Sequence, residues 1–289
     1  MDIIDYTAER ARSVLSPRPV ESHKDHFGRV LAVCGCKGYT GAAWFAAMGA
    51  VRTGAGVVTL AVPASIYPIL AVKLNEPVVL SLPDVDGKLC SASLDALESS
   101  LRRADALLIG PGLGRSEGVT AAVLALLERA SCPIVLDADG INALGGHIDV
   151  LQHTAHPVIL TPHGGEFSRL TGVAHPDAAD AARFAQENGC VVLLKSHRTV
   201  VAGPDGSVSR NTTGNPGMAK GGSGDVLAGM ILALLGQGVA PLDAARAGAW
   251  FHGRAGDRCA NRLGEYGMTP TDMVGEIPAV LRYLNTKEW

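Results

Sequence analysis

The strongest constraint on the fold is a rhythm. Short β-branched runs (Arg29 to Val33, Gly56 to Val62, Pro77 to Leu82, Ala106 to Ile109, Ile134 to Asp137, Val158 to Thr161 and Val191 to Lys195) alternate with longer small-residue or amphipathic stretches, and the runs tend to stop in glycine. Near-continuous apolar strands need cover on both faces, which predicts an α/β fold with a central, largely parallel sheet between two helical layers. A further pair, Thr199 to Ala202 and Ser207 to Asn211, is joined by Gly203-Pro204-Asp205-Gly206, a turn composition that makes the sheet mixed at this end. After Asp225 the pattern turns helical: Val226 to Leu235, Leu242 to roughly Asn261, and a last helix opening at Thr269-Pro270-Thr271-Asp272, where a hydroxyl cap, a first-turn proline and an acid suit exposed N–H groups.

The 289 residues can bury one large core, and no linker or composition break divides them, so residues 1–289 are expected to form one domain. The 35 glycines against 4% aromatics suit closely packed elements and tight turns. A net charge of -3, with no long basic run, excludes an electrostatic footprint for nucleic acid or an anionic membrane, leaving small molecules or copies of the chain itself as partners. The start carries no apolar run of signal length and no window reaches spanning length, so a cytoplasmic location is expected. The six cysteines are scattered, with only Cys34 and Cys36 close together, and read as reduced thiols.

Lys220-Gly221-Gly222-Ser223-Gly224-Asp225 runs directly into VLAGMILALL. Glycines ahead of a helix let backbone N–H groups converge on an anion, and the helix N-terminus adds positive potential. Asp225 is either a helix-starting acid or a catalyst, and the ordering entropy of the glycines favours the second; Lys220 is either solvated or an anion ligand. The chain has no Walker loop, so the cradle is of another kind. Asn211-Thr212-Thr213-Gly214-Asn215 makes turns or binds phosphate oxygens. Gly110-Pro111-Gly112-Leu113-Gly114, with Asp137 ending the next strand, is either a strand-to-helix turn or a dinucleotide fingerprint, although its spacing is not G-x-G-x-x-G. Asp139 and Glu166 follow two further strand ends, as helix-starting acids or as oxygen ligands that hold Mg²⁺ through water. His163 orients substrate or is merely solvated; His23, His26, His197 and His252 show no metal-ligand spacing.

Taken in order, Glu21 to Lys24 with Gly28, Gly35 to Ala42, Gly110 to Gly114, LDADGINAL from Leu136, LTPHGGEFSRLTG from Leu160, Lys195 to Thr199 and Asn211 to Gly229 resemble the ADP-dependent NAD(P)H-hydrate dehydratases. The resemblance covers nearly the whole chain. It implies a ribokinase-like fold, with a three-layer αβα sandwich, and repair of the S epimer of hydrated NADH or NADPH. ADP, with ATP as the possible substitute and Mg²⁺ as the cofactor, phosphorylates the C6 hydroxyl. Phosphate then leaves, giving AMP, phosphate and restored NADH or NADPH. It further implies that Asp225 is the general base, that Gly222 and Gly224 stabilise the transferred phosphoryl group, and that Ala42, Gly112, His163 and Asp225 contact the hydrated dinucleotide. Lys195, Ser196, His197, Arg198, Thr199 and Gly224 are implied to contact the adenine nucleotide, with Asn211, Thr213 and Asn215 beside it. A homotetramer is implied, as is a separate epimerase acting in the same pathway, for which this length leaves no room. Two departures stand out: Ser196 where the family often has glycine, and Gly164-Gly165 between His163 and Glu166 where it has Pro-Gly. The rival readings are a ribokinase-like kinase of a small alcohol, an NAD-dependent dehydrogenase using Gly110 to Gly114, and a silent nucleotide-binding regulator.

Overall fold

The computed structural model describes residues 2–285. Its sheet is built from β1 (Ile3–Tyr6), β2 (Arg29–Val33), β3 (Val57–Pro63), β4 (Val78–Leu82), β7 (Ala106–Ile109), β8 (Ile134–Leu136), β9 (Val158–Leu160), β10 (Val191–Leu194), β11 (Val200–Ala202) and β12 (Val208–Asn211), while β5 (Asp84–Val85) and β6 (Lys88–Leu89) form a separate small hairpin. The ten strands lie in the order β1-β12-β11-β10-β9-β8-β7-β2-β3-β4. All neighbouring pairs are parallel except β10 with β11 and β11 with β12, so the sheet is mixed where the Gly203 to Gly206 turn predicts it. The seven expected strand runs all appear. Asp137, Thr161 and Lys195, however, fall one residue beyond their strands, because the ladder ends where polar side chains turn toward the crevice.

Sequence reasoning missed β1. Four residues with an acid among them carry little signal alone, and the strand exists through parallel pairing of Ile3 to Tyr6 with Val208 to Asn211 at the far end of the chain. It also missed the β5–β6 hairpin, which is too short for periodicity to show. The helix expected from Leu242 to Asn261 runs from Pro241 to Gly267, with Gly264 outside helical geometry.

Alternation along the strands divides the core. Val30, Ala32, Ala106 and Leu108 face a layer containing helices Thr40–Thr53, Ser223–Gly236 and Pro241–Gly267. Leu31, Val33, Leu107 and Ile109 face Ser91–Leu101, Glu117–Arg129, Gly164–Thr171 and Ala178–Asn188. Helix Ser223–Gly236 is apolar all round and buried from Val226 to Leu235, which makes it the central element of its layer. It crosses helix Thr40–Thr53 at backbone contact: a Cβ on Gly49 would stand 2.6 Å from the Val226 carbonyl oxygen, and one on Gly229 would collide with the Ala46 carbonyl. The strand order reverses between β2 and β7, so a crevice opens beyond their carboxyl ends.

Candidate active site

At that crevice the Lys220 to Asp225 segment forms the N-terminus of helix Ser223–Gly236. Gly222 caps it with φ 99°, a left-handed conformation costly for a side chain, and a Cβ there would press on the Phe45 ring at 2.5 Å. First-turn N–H groups have no intrahelical acceptor; the Ser223 N–H turns back to the Lys220 carbonyl at 3.2 Å, which leaves the Gly222 and Gly224 N–H groups as the donors this glycine segment offers an anion. Lys195 supplies the adjacent charge: a Cβ on Gly224 would lie 3.3 Å from its Nζ. Lys220 does something else. Its ammonium donates to the carbonyls of Tyr266 and Met268, tying the glycine loop to the end of helix Pro241–Gly267.

Asp225 stands among three further carboxylates. Burial first, then the charges of Asp137, Glu166 and Asp139, push its pKa up to about 7 against the opposing pull of Lys195. Lys195 Nζ lies 2.8 Å from Asp137 Oδ1 and 4.0 Å from Glu166 Oε2. Burial works against the Lys195 ammonium, yet Asp137, Glu166 and Asp225 outweigh it and hold its pKa above the ordinary value. Asp137 is 1% exposed and also accepts from Thr161 Oγ1 at 2.7 Å. Between Asp137 and Asp139 the chain passes through Ala138 at φ 48°, a strained geometry of the kind that concentrates at functional sites.

Asp139 Oδ2 accepts the Gly114 N–H at 2.8 Å, while Oδ1 accepts from Asn142 Nδ2 at 3.2 Å, so this acid fixes the Gly110 to Gly114 turn. That turn brings Gly112 against Ala42: a Cβ on Gly112 would lie 2.8 Å from the Ala42 Cβ. His163 caps helix Gly164–Thr171, its Nδ1 accepting the N–H groups of Gly165 (3.0 Å) and Glu166 (3.3 Å), while Glu166 Oε2 accepts the His163 N–H at 2.9 Å. With Nδ1 accepting, the ring carries a proton on Nε2, which stands 3.5 Å from Glu166 Oε1. A bridge between His163 and Lys195 sets the two side by side.

A cavity of about 760 Å³ adjoins this cluster. Its wall contains His163, Lys195, Ser196, His197, Thr199 and Gly224, together with Asn211, Thr213 and Asn215; Arg198 is exposed and outside it. The amides of the last group are engaged internally. Asn211 Nδ2 donates to the carbonyls of Thr213 (3.0 Å) and Ala249 (3.3 Å), Thr213 Oγ1 donates to the Trp250 carbonyl at 2.8 Å, and Asn215 donates to Asp257 Oδ1 at 3.2 Å while accepting the Gly217 N–H at 3.0 Å. These side chains hold the wall in shape.

Sequence reasoning missed the opposite wall, on helix Pro241–Gly267. His252 is buried and lies 3.3 Å from Ser223 Oγ; burial lowers its pKa to about 4, so it stays neutral. Asp257 accepts the Gly214 N–H at 3.2 Å as well as the Asn215 amide. The stretch His252-Gly253-Arg254-Ala255-Gly256-Asp257 carries a detectable signal, two glycines inside a helix where each is costly. A Cβ on Gly253 would meet the Thr213 backbone at 2.7 Å. Among the described residues no group of three or more His, Cys, Asp or Glu gathers as a metal cage.

A family model described as NAD(P)H-hydrate dehydratase matches residues 30–279. The ADP-dependent (S)-NAD(P)H-hydrate dehydratase of Xanthomonas campestris pv. campestris is 34% identical over 280 residues, covering 95% of each chain. The bifunctional NAD(P)H-hydrate repair enzyme Nnr of Moorella thermoacetica is 46% identical over 284 residues, which cover 96% of this chain and 54% of that one, so the chain spans about half the length of such relatives. Among solved structures, a ribokinase-like superfamily protein from Enterococcus faecalis superposes with a TM-score of 0.85 at 27% identity, covering 98% and 96% of the two chains. The ADP/ATP-dependent NAD(P)H-hydrate dehydratase from Bacillus subtilis, co-crystallized with ATP/Mg²⁺, superposes with a TM-score of 0.84 at 32% identity, covering 99% and 100%. The fold is therefore ribokinase-like, and Gly110 to Gly114 serves as one of its turns.

Proposed function

The chain belongs to the NAD(P)H-hydrate dehydratase family, and from that premise we propose that residues 1–289 form one catalytic unit that dehydrates the S epimer of hydrated NADH or NADPH, with ADP as phosphoryl donor. The observation that carries this reading is the placement of Asp225. A carboxyl with a pKa raised to about 7 stands at a glycine-lined helix N-terminus beside Lys195, and the preceding Gly224 walls a cavity large enough for a nucleotide. Asp225 takes the proton of the C6 hydroxyl as that oxygen attacks the terminal phosphorus of ADP. The bond to AMP breaks, and the developing charge meets the Gly222 and Gly224 N–H groups and the Lys195 ammonium. The C6–O bond then breaks with phosphate as leaving group, and loss of a proton from the neighbouring carbon restores the ring double bond. His163 donates from Nε2 to hold the ring of the substrate.

Mg²⁺ belongs to the same reading. Glu166 and Asp139 offer carboxylates beside the reaction centre that already accept N–H groups, a donor set that suits an ion carried on nucleotide phosphates and reached through water better than one caged by protein. When bound, the ion would neutralise phosphate charge. A homotetramer fits the apolar exposure around edge strand β4, where Val72 is 86% and Val78 58% exposed. A cytoplasmic setting fits the family's substrates, and among the described residues no helix is long and apolar enough to cross a membrane.

The test is spectrophotometric. Purified protein given hydrated NADH should regain the absorbance of reduced nicotinamide with ADP, yielding AMP and free phosphate, and ATP run in parallel ranks the donors. Failure to restore that absorbance, with transfer of phosphate to a thiazole or pyrimidine alcohol as a stable ester, would replace the reading by a small-alcohol kinase.

A further inference from the structure

Both reactants in the proposed reaction carry a pyrophosphate, and two like-charged groups cannot share one set of cations at close range without a large Coulomb penalty. One is accounted for by the cavity beside Lys195 and Gly224. A second cavity, of about 210 Å³, opens on the other helical layer between helices Glu117–Arg129 and Gly164–Thr171, and no residue lines both. It adjoins the same catalytic cluster, because Glu166 and Asp139 form part of its wall.

Its cations are distinctive. The guanidinium of Arg169 donates to a neutral acceptor, Asn142 Oδ1, from Nε and Nη2 at 3.3 Å each. Arg115 is 64% exposed and its Nε stands 3.6 Å from Asp139 Oδ1, too long for a direct hydrogen bond. Lys88, from β6, packs against that turn, its Nζ donating to the Arg115 carbonyl at 3.2 Å. The wall carboxylates do not repel an anion unopposed: Asp139 accepts the Gly114 N–H and the Asn142 amide, and Glu166 faces the His163 N–H and Lys195. In a chain of net charge -3, this is a local concentration of fork-shaped phosphate donors. It is also continuous with the expected nicotinamide seat, because Gly112 and Gly114 share one turn and Asp139 links that turn to Arg115.

We propose that Arg115 and Arg169 hold the pyrophosphate of the hydrated dinucleotide, so that the distal half of the substrate lies on the opposite helical layer from ADP. This rests on the reaction proposed above. Each arginine acts as a specificity-determining residue for the dinucleotide and has no part in the chemistry at C6.

The test compares hydrated NADH with hydrated reduced nicotinamide mononucleotide, which lacks the pyrophosphate linkage, in the wild type, in Arg115→Ala/Arg169→Ala and in Arg115→Lys/Arg169→Lys. The alanine pair is expected to raise KM for the dinucleotide about 10- to 100-fold, the range set by loss of charged hydrogen bonds, with a smaller change in kcat and none in KM for ADP. KM for the mononucleotide should move far less, and the lysine pair should recover part of the loss. A wild-type dinucleotide KM in the alanine variant, or an equal rise for both substrates, overturns the subsite while leaving the reaction standing. No turnover of either hydrate by the wild type removes the reaction reading, and the subsite with it.

Discussion

Asp225→Asn should make the protein more stable and nearly inactive at once. The Asp225 pKa stands at about 7 against an ordinary 3.8, chiefly because burial and Asp137 penalise its charged form. At about 1.36 kcal/mol per pH unit, that difference sets a ceiling of about 4 kcal/mol of strain borne by the folded state when Asp225 is ionised. The residue is only partly buried at an open crevice, so solvent screening brings the expected gain of the asparagine to roughly 1–3 kcal/mol. The sign is fixed by linkage. Below the unfolded value both states are protonated and the charged-form penalty is absent; between 3.8 and about 7 the folded state binds the extra proton and the penalty grows with pH; above about 7 it is complete. Urea unfolding of variant and wild type at about pH 8 and again at about pH 5 should therefore give a larger difference at the higher pH. Turnover should fall by about 10²–10⁴, the usual contribution of a general base, while calorimetry still detects ADP binding. A variant no more stable than wild type at the higher pH, a gain indifferent to pH, or undiminished turnover would each refute the reasoning.

Three further outcomes are expected. In the wild type, kcat/KM should rise with pH and level off above about 7 as Asp225 ionises, and Lys195→Met should move that rise upward while costing about 3–5 kcal/mol in urea, because it strands the buried Asp137 without its partner. His163→Ala should lose about 0.5–2 kcal/mol of stability with the helix cap and raise KM for the hydrated dinucleotide by more than it raises KM for ADP. Gly229→Ala should lower stability by about 1–3 kcal/mol or more by forcing two helices apart, which a thermal melt would register, whereas Gly221→Ala, with open space beside it, should leave the melt unchanged.

Much of this was legible in the chain. The apolar runs define seven strands because a sheet covered on both faces needs an unbroken hydrophobic string, a local property. The Lys220 to Asp225 segment announces a helix N-terminus because glycine clusters are costly elsewhere. What was illegible is relational. β1 exists only by pairing with β12, some two hundred positions away in the chain, and nothing near Ile3 reports that partner. Asn211, Thr213 and Asn215 look like phosphate ligands by residue type, yet their polar atoms bond one another, Asp257 and two helix carbonyls. Lys220 beside three glycines suggests an anion, and the fold hands it two carbonyls instead. His252 and Asp257 sit within a long helical pattern that masks their roles.

The backbone contact between helices Thr40–Thr53 and Ser223–Gly236 bears on stereochemistry. One helix begins beside Ala42 and the other beside Asp225, and where two backbones touch no side chain remains between them to repack. The gap between substrate seat and base is thus set by peptide atoms. In the proposed reaction a hydroxyl on one face of the ring falls within reach of the carboxylate, and its mirror-placed counterpart points away with no hinge to follow it. Handedness would then be read by rigidity, with no residue needed to recognise the wrong epimer.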